Sequence, residues 1–224
     1  MKKIKTAYLF ILLAMIISGC NEPVTEFGFD GSISGKMVDQ AGNIVAGDIT
    51  SGGFVVEAHG EFDQVAMVLR VKGDGTFANN KLYPQVYTVT VKGPVNTIAS
   101  VSIDLTGNKT VVQDFVVTPF FTIPSPTLNG SATSTDIKVD YNIIENSGNI
   151  AATRQLYCST IPYPNASTGS GPYFVTKTVT LTTKQGTAAV TGLTAGTKYF
   201  IRVGAKTATG TAFNYSDQLI VITP

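Results

Sequence analysis

From residue 31 onward, apolar and polar positions alternate with a period of two. Ile33, Gly35 and Met37 fall on one side of the first such run and Ser32, Ser34 and Lys36 on the other. That spacing predicts a strand with one dry and one wet face, because successive side chains of a strand point to opposite sides. Asp39-Gln40-Ala41-Gly42-Asn43 supplies the turn that ends it. Further strands are predicted at Phe54 to Ala58, Val65 to Lys72, Val86 to Lys92, Ile98 to Leu105 and Thr110 to Val117, separated by Gly, Asn and Asp. Later, Ile137, Val139, Tyr141 and Ile143 alternate with Lys138, Asp140 and Asn142. No stretch carries convincing helical periodicity, so the fold class is all-β, built as sandwiches of short strands. Between the two series lies Thr118 to Pro126, where Pro119, Pro124 and Pro126 each hold φ near −65°. The expected organisation is a first sandwich over 31–118, a stiff, extended proline-rich linker over 119–126 and a second sandwich over 127–224.

The N-terminus breaks this pattern. Lys2, Lys3 and Lys5 precede an apolar run from Ala7 to Ile17, the charged-then-apolar order of an export signal. The run is shorter than the roughly 20 residues that span a bilayer. It ends in Ile17-Ser18-Gly19-Cys20, which resembles the lipobox of bacterial lipoproteins. That resemblance implies a signal peptide over 1–19, cleavage before Cys20, and acyl chains on its sulfur and new amino terminus. Two or more chains anchor stably where one binds only marginally. Residues 20–30 then form a tether whose fully extended reach is roughly 33 Å at about 3.3 Å per residue.

Composition narrows the function classes. Charged residues make up 14% of the 224-residue chain, against roughly 25% in an average domain. Three lysines leave with the signal, so the mature chain carries 13 basic and 15 acidic side chains, a formal charge of −2. No basic patch speaks for nucleic acid. With Cys20 acylated, Cys158 is the one cysteine left and no intramolecular disulfide can form. Cys158 sits in a strand-like run and reads as a small buried hydrophobe.

Motifs in each half resemble known modules. Gly35-Lys36-Met37-Val38-Asp39, Gly73-Asp74-Gly75-Thr76-Phe77, Leu82-Tyr83-Pro84 and Tyr87-Thr88-Val89-Thr90-Val91 resemble the carboxypeptidase regulatory-like, prealbumin-related sandwich. Gln85 and Val86 stand where that family usually has a glycine. Val190-Thr191-Gly192-Leu193-Thr194-Ala195-Gly196-Thr197-Lys198-Tyr199 resembles the end of a fibronectin type III domain, which makes Tyr199 a tyrosine corner. The chain has no tryptophan, and Leu156 or Tyr157 is expected in the core space that fold gives to one. The combination is similar to two-domain Bacteroidetes lipoproteins often encoded beside the transporter and glycan-capture pair of starch-utilisation-type systems. The resemblance implies an outer-membrane role in glycan acquisition, with those proteins as partners and no known catalytic residue. The cell surface is the expected side, and the periplasmic face stays open because Asn21-Glu22-Pro23 and Glu26 form only a thin acidic start after Cys20.

Candidate chemistry is sparse. Glu57, His59, Glu61 and Asp63 would share one face of an unbroken strand, but Gly60 interrupts the run and solvated loop charges are the expected reading. No nucleophile elbow, zinc motif, phosphate loop or other cofactor motif is present, so no enzyme, metal or cofactor is expected. The candidate ligand surface is the loop Ile161 to Phe174, where prolines flank Tyr163 and Tyr173, joined by Tyr215 from a later connection. Flat rings with a polar tip suit stacking on sugars or packing at an interface. Accessory binding of a polysaccharide or oligosaccharide is therefore the first expectation. A non-catalytic docking module for an outer-membrane receptor complex is the second, and a glycan-processing enzyme the third.

Overall fold

The computed structural model describes residues 28–50 and 53–224; Cys20, the signal peptide over 1–19 and most of the tether lie outside them. The alternating runs become the strands of two sandwiches, and the described residues contain no helix. In the first sandwich, β1 (Gly31–Val38) pairs antiparallel with β4 (Thr76–Leu82) and parallel with β7 (Thr110–Val112) and β8 (Phe115–Val116). The facing sheet has the order β3-β2-β5-β6, from Met67–Arg70, Val55–Gly60, Val86–Lys92 and Val101–Asp104. The run Thr110 to Val117 is thus two short strands, broken at Gln113 and Asp114, where the Asp114 carboxylate accepts the Lys36 N–H at 3.0 Å. Ile33, Met37, Val56, Leu69, Phe77, Val89, Ile103 and Phe115 fill the space between the sheets. Each such side chain contributes roughly 1.5–3 kcal/mol by leaving water.

The turns follow their local chemistry. The Asp39 carboxylate accepts the N–H groups of Ala41 and Asn43, and Gly42 takes the left-handed φ of 83° that the reversal needs. The strand register sorts these loops into two ends. Gly31 faces Leu82, Gly60 faces Tyr87 and Val86 faces Asp104, so loops 61–66, 83–85 and 105–109 share one end with the incoming chain at Phe29. Loops 39–50, 71–75 and 93–100 share the other.

In the second sandwich, β10 (Thr127–Leu128), β11 (Ile137–Asn142) and β15 (Gln185–Val190) form one sheet. The other joins β14 (Thr176–Thr180), β13 (Thr153–Ser159) and β16 (Lys198–Lys206), with β17 (Asn214–Tyr215) and β18 (Leu219–Ile222) along the far edge of β16. The Thr194 N–H donates to the Tyr199 hydroxyl at 3.0 Å, closing the corner expected of that tyrosine. The first sandwich has a counterpart, the Tyr87 hydroxyl donating to the Tyr83 carbonyl at 2.8 Å. Leu156 enters the core between the sheets; Tyr157 faces away from it and packs with Phe213 and Tyr215 instead.

Segment 119–126, expected as a stiff, extended linker, contributes to the second core. Phe121 and Ile123 are buried in it, and β9 (Phe121–Thr122) pairs with β12 (Ile144–Glu145). The prolines fix the backbone around an alternating apolar pair, which has a sheet to bury against. The two sandwiches are accordingly in direct contact. The Asn214 side-chain amide donates to the Pro94 carbonyl at 3.0 Å, and the Asn96 amide to the Ser147 hydroxyl at 2.9 Å.

A candidate ligand cleft at the junction of the two sandwiches

Strand β16 is buried on both faces. Tyr199, Ile201, Val203 and Ala205 point into the second core, as alternation requires. Arg202 points the other way, toward the first sandwich, and is fully buried. Its Nε donates to the Ser216 carbonyl at 2.9 Å and one terminal nitrogen, Nη2, to the Gly47 carbonyl at 3.1 Å, across 155 residues of sequence. The guanidinium lies over the Tyr215 ring, 4.5 Å from its centroid, and 5.7 Å from that of Tyr163. Stacking of this kind is favourable, more so when desolvated. Burial pulls the Arg202 pKa down to about 10, while Tyr215, Asp48 and Asp217 oppose the shift; the group stays cationic at neutral pH. Its second terminal nitrogen, Nη1, has no hydrogen-bond partner, and a buried donor left unmatched costs about 1–3 kcal/mol.

Around this group the junction leaves a cleft of about 440 Å³, lined by Asp48, Lys72, Gly73, Tyr163, Asn165 and Arg202 among others. Asp48 is buried, and one of its oxygens accepts the Thr50 N–H at 2.9 Å and the Asn165 amide at 3.0 Å. Asn165 is held by its own turn, its carbonyl oxygen accepting from the Ser167 N–H and the Thr168 hydroxyl. Tyr163 has a left-handed φ of 53°, a conformation costing of order 1–3 kcal/mol in a non-glycine residue. Its N–H donates to the Gln218 side chain at 2.8 Å. Its ring rests on Gly73, where an added Cβ would come within 2.2 Å of the Tyr163 Cγ. Strain held in place by several contacts is a recurring property of ligand clamps. A second hollow at the junction, lined by Asp39, Ile44, Phe121, Pro124, Tyr215 and Asp217 among others, has a similar volume but contains no unmatched buried donor.

The three tyrosines of the sequence reading therefore part company. Tyr163 lines the cleft. Tyr173 is 96% exposed in a tight loop closed by paired backbone bonds between Gly171 and Phe174. Tyr215 is no ligand platform, which corrects the expectation. Its ring is buried between Arg202 and Phe213, its hydroxyl accepts the Ala166 N–H at 3.0 Å, and burial pushes its pKa up. The Glu57 to Asp63 segment forms no site either. Glu57 pairs with Lys92 at 2.7 Å, the Asp63 carboxylate accepts the Gly60 N–H at 2.9 Å, and among the described residues no three metal-ligating side chains come together. Cys158 is buried in the second core, and burial pushes its thiol up to about 12.

Sequence reasoning missed Asp48, Asn165 and Arg202. One signal was available in the unbroken run Tyr199-Phe200-Ile201-Arg202-Val203-Gly204-Ala205, whose lack of alternation marks a strand covered on both faces.

No protein-family model and no curated protein matches the sequence. Solved structures do match its fold. A DUF3823 family protein of Bacteroides ovatus superposes with a TM-score of 0.67 at 17% identity, covering 87% of this chain and 100% of its own. A DUF3823 family protein of Parabacteroides merdae gives 0.67 at 17% identity over 85% and 98%. A protein of Bacteroides uniformis proposed to bind carbohydrate gives 0.66 at 17% identity over 87% and 100%. The chain thus shares the all-β, two-sandwich fold of these Bacteroidales proteins along nearly its whole described length.

Proposed function

We propose that the protein is a lipid-anchored, non-catalytic carbohydrate-binding module whose sugar site is the cleft between its sandwiches. The observation that carries this reading is the composition of that cleft. An aromatic face on Tyr163, a carboxylate on Asp48, an amide on Asn165 and the buried guanidinium of Arg202 line one hollow of about 440 Å³. Sugars present apolar faces rimmed by hydroxyl groups, which act as both donors and acceptors. A ring beside fixed polar groups matches both features. The fold likeness to a protein proposed to bind carbohydrate agrees with this reading. Lipidation at Cys20 is the proposed anchor, supported by the lipobox-like end of the apolar leader. The outer membrane is the proposed address on the family resemblance, and protease shaving of intact cells distinguishes its outer from its periplasmic face.

Affinity electrophoresis of the mature chain through gels holding different polysaccharides tests the site. At least one glycan should retard the protein, and Tyr163→Ala should abolish the retardation while Tyr173→Ala leaves it intact. If Tyr173→Ala alone abolishes it, the exposed loop is the site instead.

A second reading keeps the anchor and assigns the chain to docking on a receptor complex. The isolated, fully exposed Tyr173 ring favours it, since aromatic residues concentrate binding energy at protein interfaces. Co-purification of a receptor that Tyr173→Ala abolishes, with every glycan gel blank, would establish that reading in place of the first.

A further inference from the structure

The end of the first sandwich where the chain enters is unusually apolar for a surface made of loops. Phe62 is 78% exposed and Val65 81%, both in loop 61–66. Phe29, Tyr83 and Val86 at the same end are each between two fifths and one half exposed, and the rings of Phe29 and Tyr83 meet edge to face at 6.4 Å. The loop bearing Phe62 has a built shape. The Asp63 carboxylate accepts the Gly60 N–H at 2.9 Å and contacts the buried Gln85 amide at 3.4 Å. Gln85 occupies the position where the resemblance led one to expect a turn glycine. The loop that carries the exposed phenylalanine is thus held in shape by half-buried polar contacts.

We propose that these loops rest in the bilayer that carries the Cys20 anchor, so that Phe29, Phe62, Val65 and Tyr83 form the membrane-facing end of the protein. The inference rests on acylation of Cys20. Phe29 lies nine positions after Cys20, and nine such steps span at most about 32 Å. The end at which it enters is therefore the part of the protein kept nearest the lipid. The second sandwich is attached at the opposite end, through Gly47, Pro94 and Asn96, and leaves this face uncovered. Charge agrees with an apolar rather than an electrostatic contact. Lys109 is engaged by Asp30, and Glu61, Asp63 and Asp104 outnumber Lys81 around the patch. Contact made by aromatic and aliphatic side chains adds to an acyl anchor without needing anionic lipid.

The chain has no tryptophan, so single-tryptophan variants report on one position each. The mature chain is coupled through the Cys20 thiol to maleimide-bearing lipid in phosphatidylcholine vesicles with brominated acyl chains; buried Cys158 stays unreacted. Phe62→Trp should then show blue-shifted emission and loss of intensity by bromine quenching, both persisting in high salt. Tyr173→Trp, on the second sandwich, should show neither. Equal quenching at the two positions, no quenching at position 62, or quenching abolished by salt would each overturn the proposal. Coupling supplies the anchor chemically, so that result does not depend on acylation in cells. Fatty-acid labelling of the native protein, lost in Cys20→Ser, tests acylation separately.

Discussion

Replacing Arg202 by methionine probes the junction most directly. The substitution keeps most of the length and volume of the side chain but removes two buried hydrogen bonds, to the carbonyls of Ser216 and Gly47. Bonds to a charged donor contribute about 1.5–3 kcal/mol each, and the desolvated stacking on Tyr215 about 2 kcal/mol. Against that loss, methionine gains from apolar burial roughly 1.5–3 kcal/mol, and no charge has to be stripped of water. Methionine also removes the unmatched Nη1 donor, a gain of about 1–3 kcal/mol, and the balance is a destabilisation of roughly 1–3 kcal/mol, concentrated where the sandwiches meet. Urea unfolding of the full chain, followed in parallel by tyrosine fluorescence and far-ultraviolet circular dichroism, measures it. The midpoint should fall, and the single transition should separate into two as each sandwich unfolds on its own. Arg202→Lys should resemble the methionine variant, because one ammonium cannot reproduce the planar fork that reaches both carbonyls. An unchanged midpoint and a single transition in Arg202→Met would show that the guanidinium does not hold the domains together.

Other expectations follow from single contacts. Cys158 should not react with Ellman's reagent at pH 8 in the folded protein and should react fully in denaturant, because burial pushes its thiol up to about 12. Tyr199→Phe should lower stability by about 1–2 kcal/mol in urea titrations, leaving the Thr194 N–H without its acceptor. Glu145 accepts the Ala151 N–H and pairs with Lys184, which together hold its carboxyl below the ordinary glutamate value of 4.5. Its folded-state pKa is depressed, so its contribution is complete above that value and disappears as pH falls below it. Glu145→Gln should therefore lower the urea midpoint at pH 7 and matter less at pH 3. Gly73→Ala should displace the Tyr163 ring and weaken glycan retardation at least tenfold while leaving both sandwiches folded, as circular dichroism would record.

Both sandwiches were legible in the sequence because each strand that alternates has one wet face, and Ile33 to Met37 or Ile137 to Ile143 announce it residue by residue. Tyr199 was legible because a corner depends on neighbours five residues away. The junction was not, since Arg202 meets Gly47 across 155 positions and no local pattern records such a meeting. Tyr215 was misread for the same reason. A tyrosine in a connection looks available to solvent until Arg202, Phe213 and the distant Ala166 loop are known to close over it. In segment 119–126 the prolines masked the alternation of Phe121 and Ile123, and a stretch that belongs to a core read as a spacer. Phe62 was passed over, and Val65 was read into a strand that begins only at Met67, because an apolar residue in or beside a charged loop gives no sign of which way it points.

The opposed ends of the first sandwich have a consequence for height. Its longest strand, β1, runs eight residues from the entry end toward the junction, about 26 Å at roughly 3.3 Å per residue. If the entry loops rest on lipid as proposed, with the second sandwich held by buried contacts at the other end, that strand works as a gauge block. It would then set the altitude at which the cleft is carried above the membrane. Lengthening residues 20–30 would slacken the mooring without raising the cleft, whereas loosening the junction would let the cleft swing at an unaltered mean elevation.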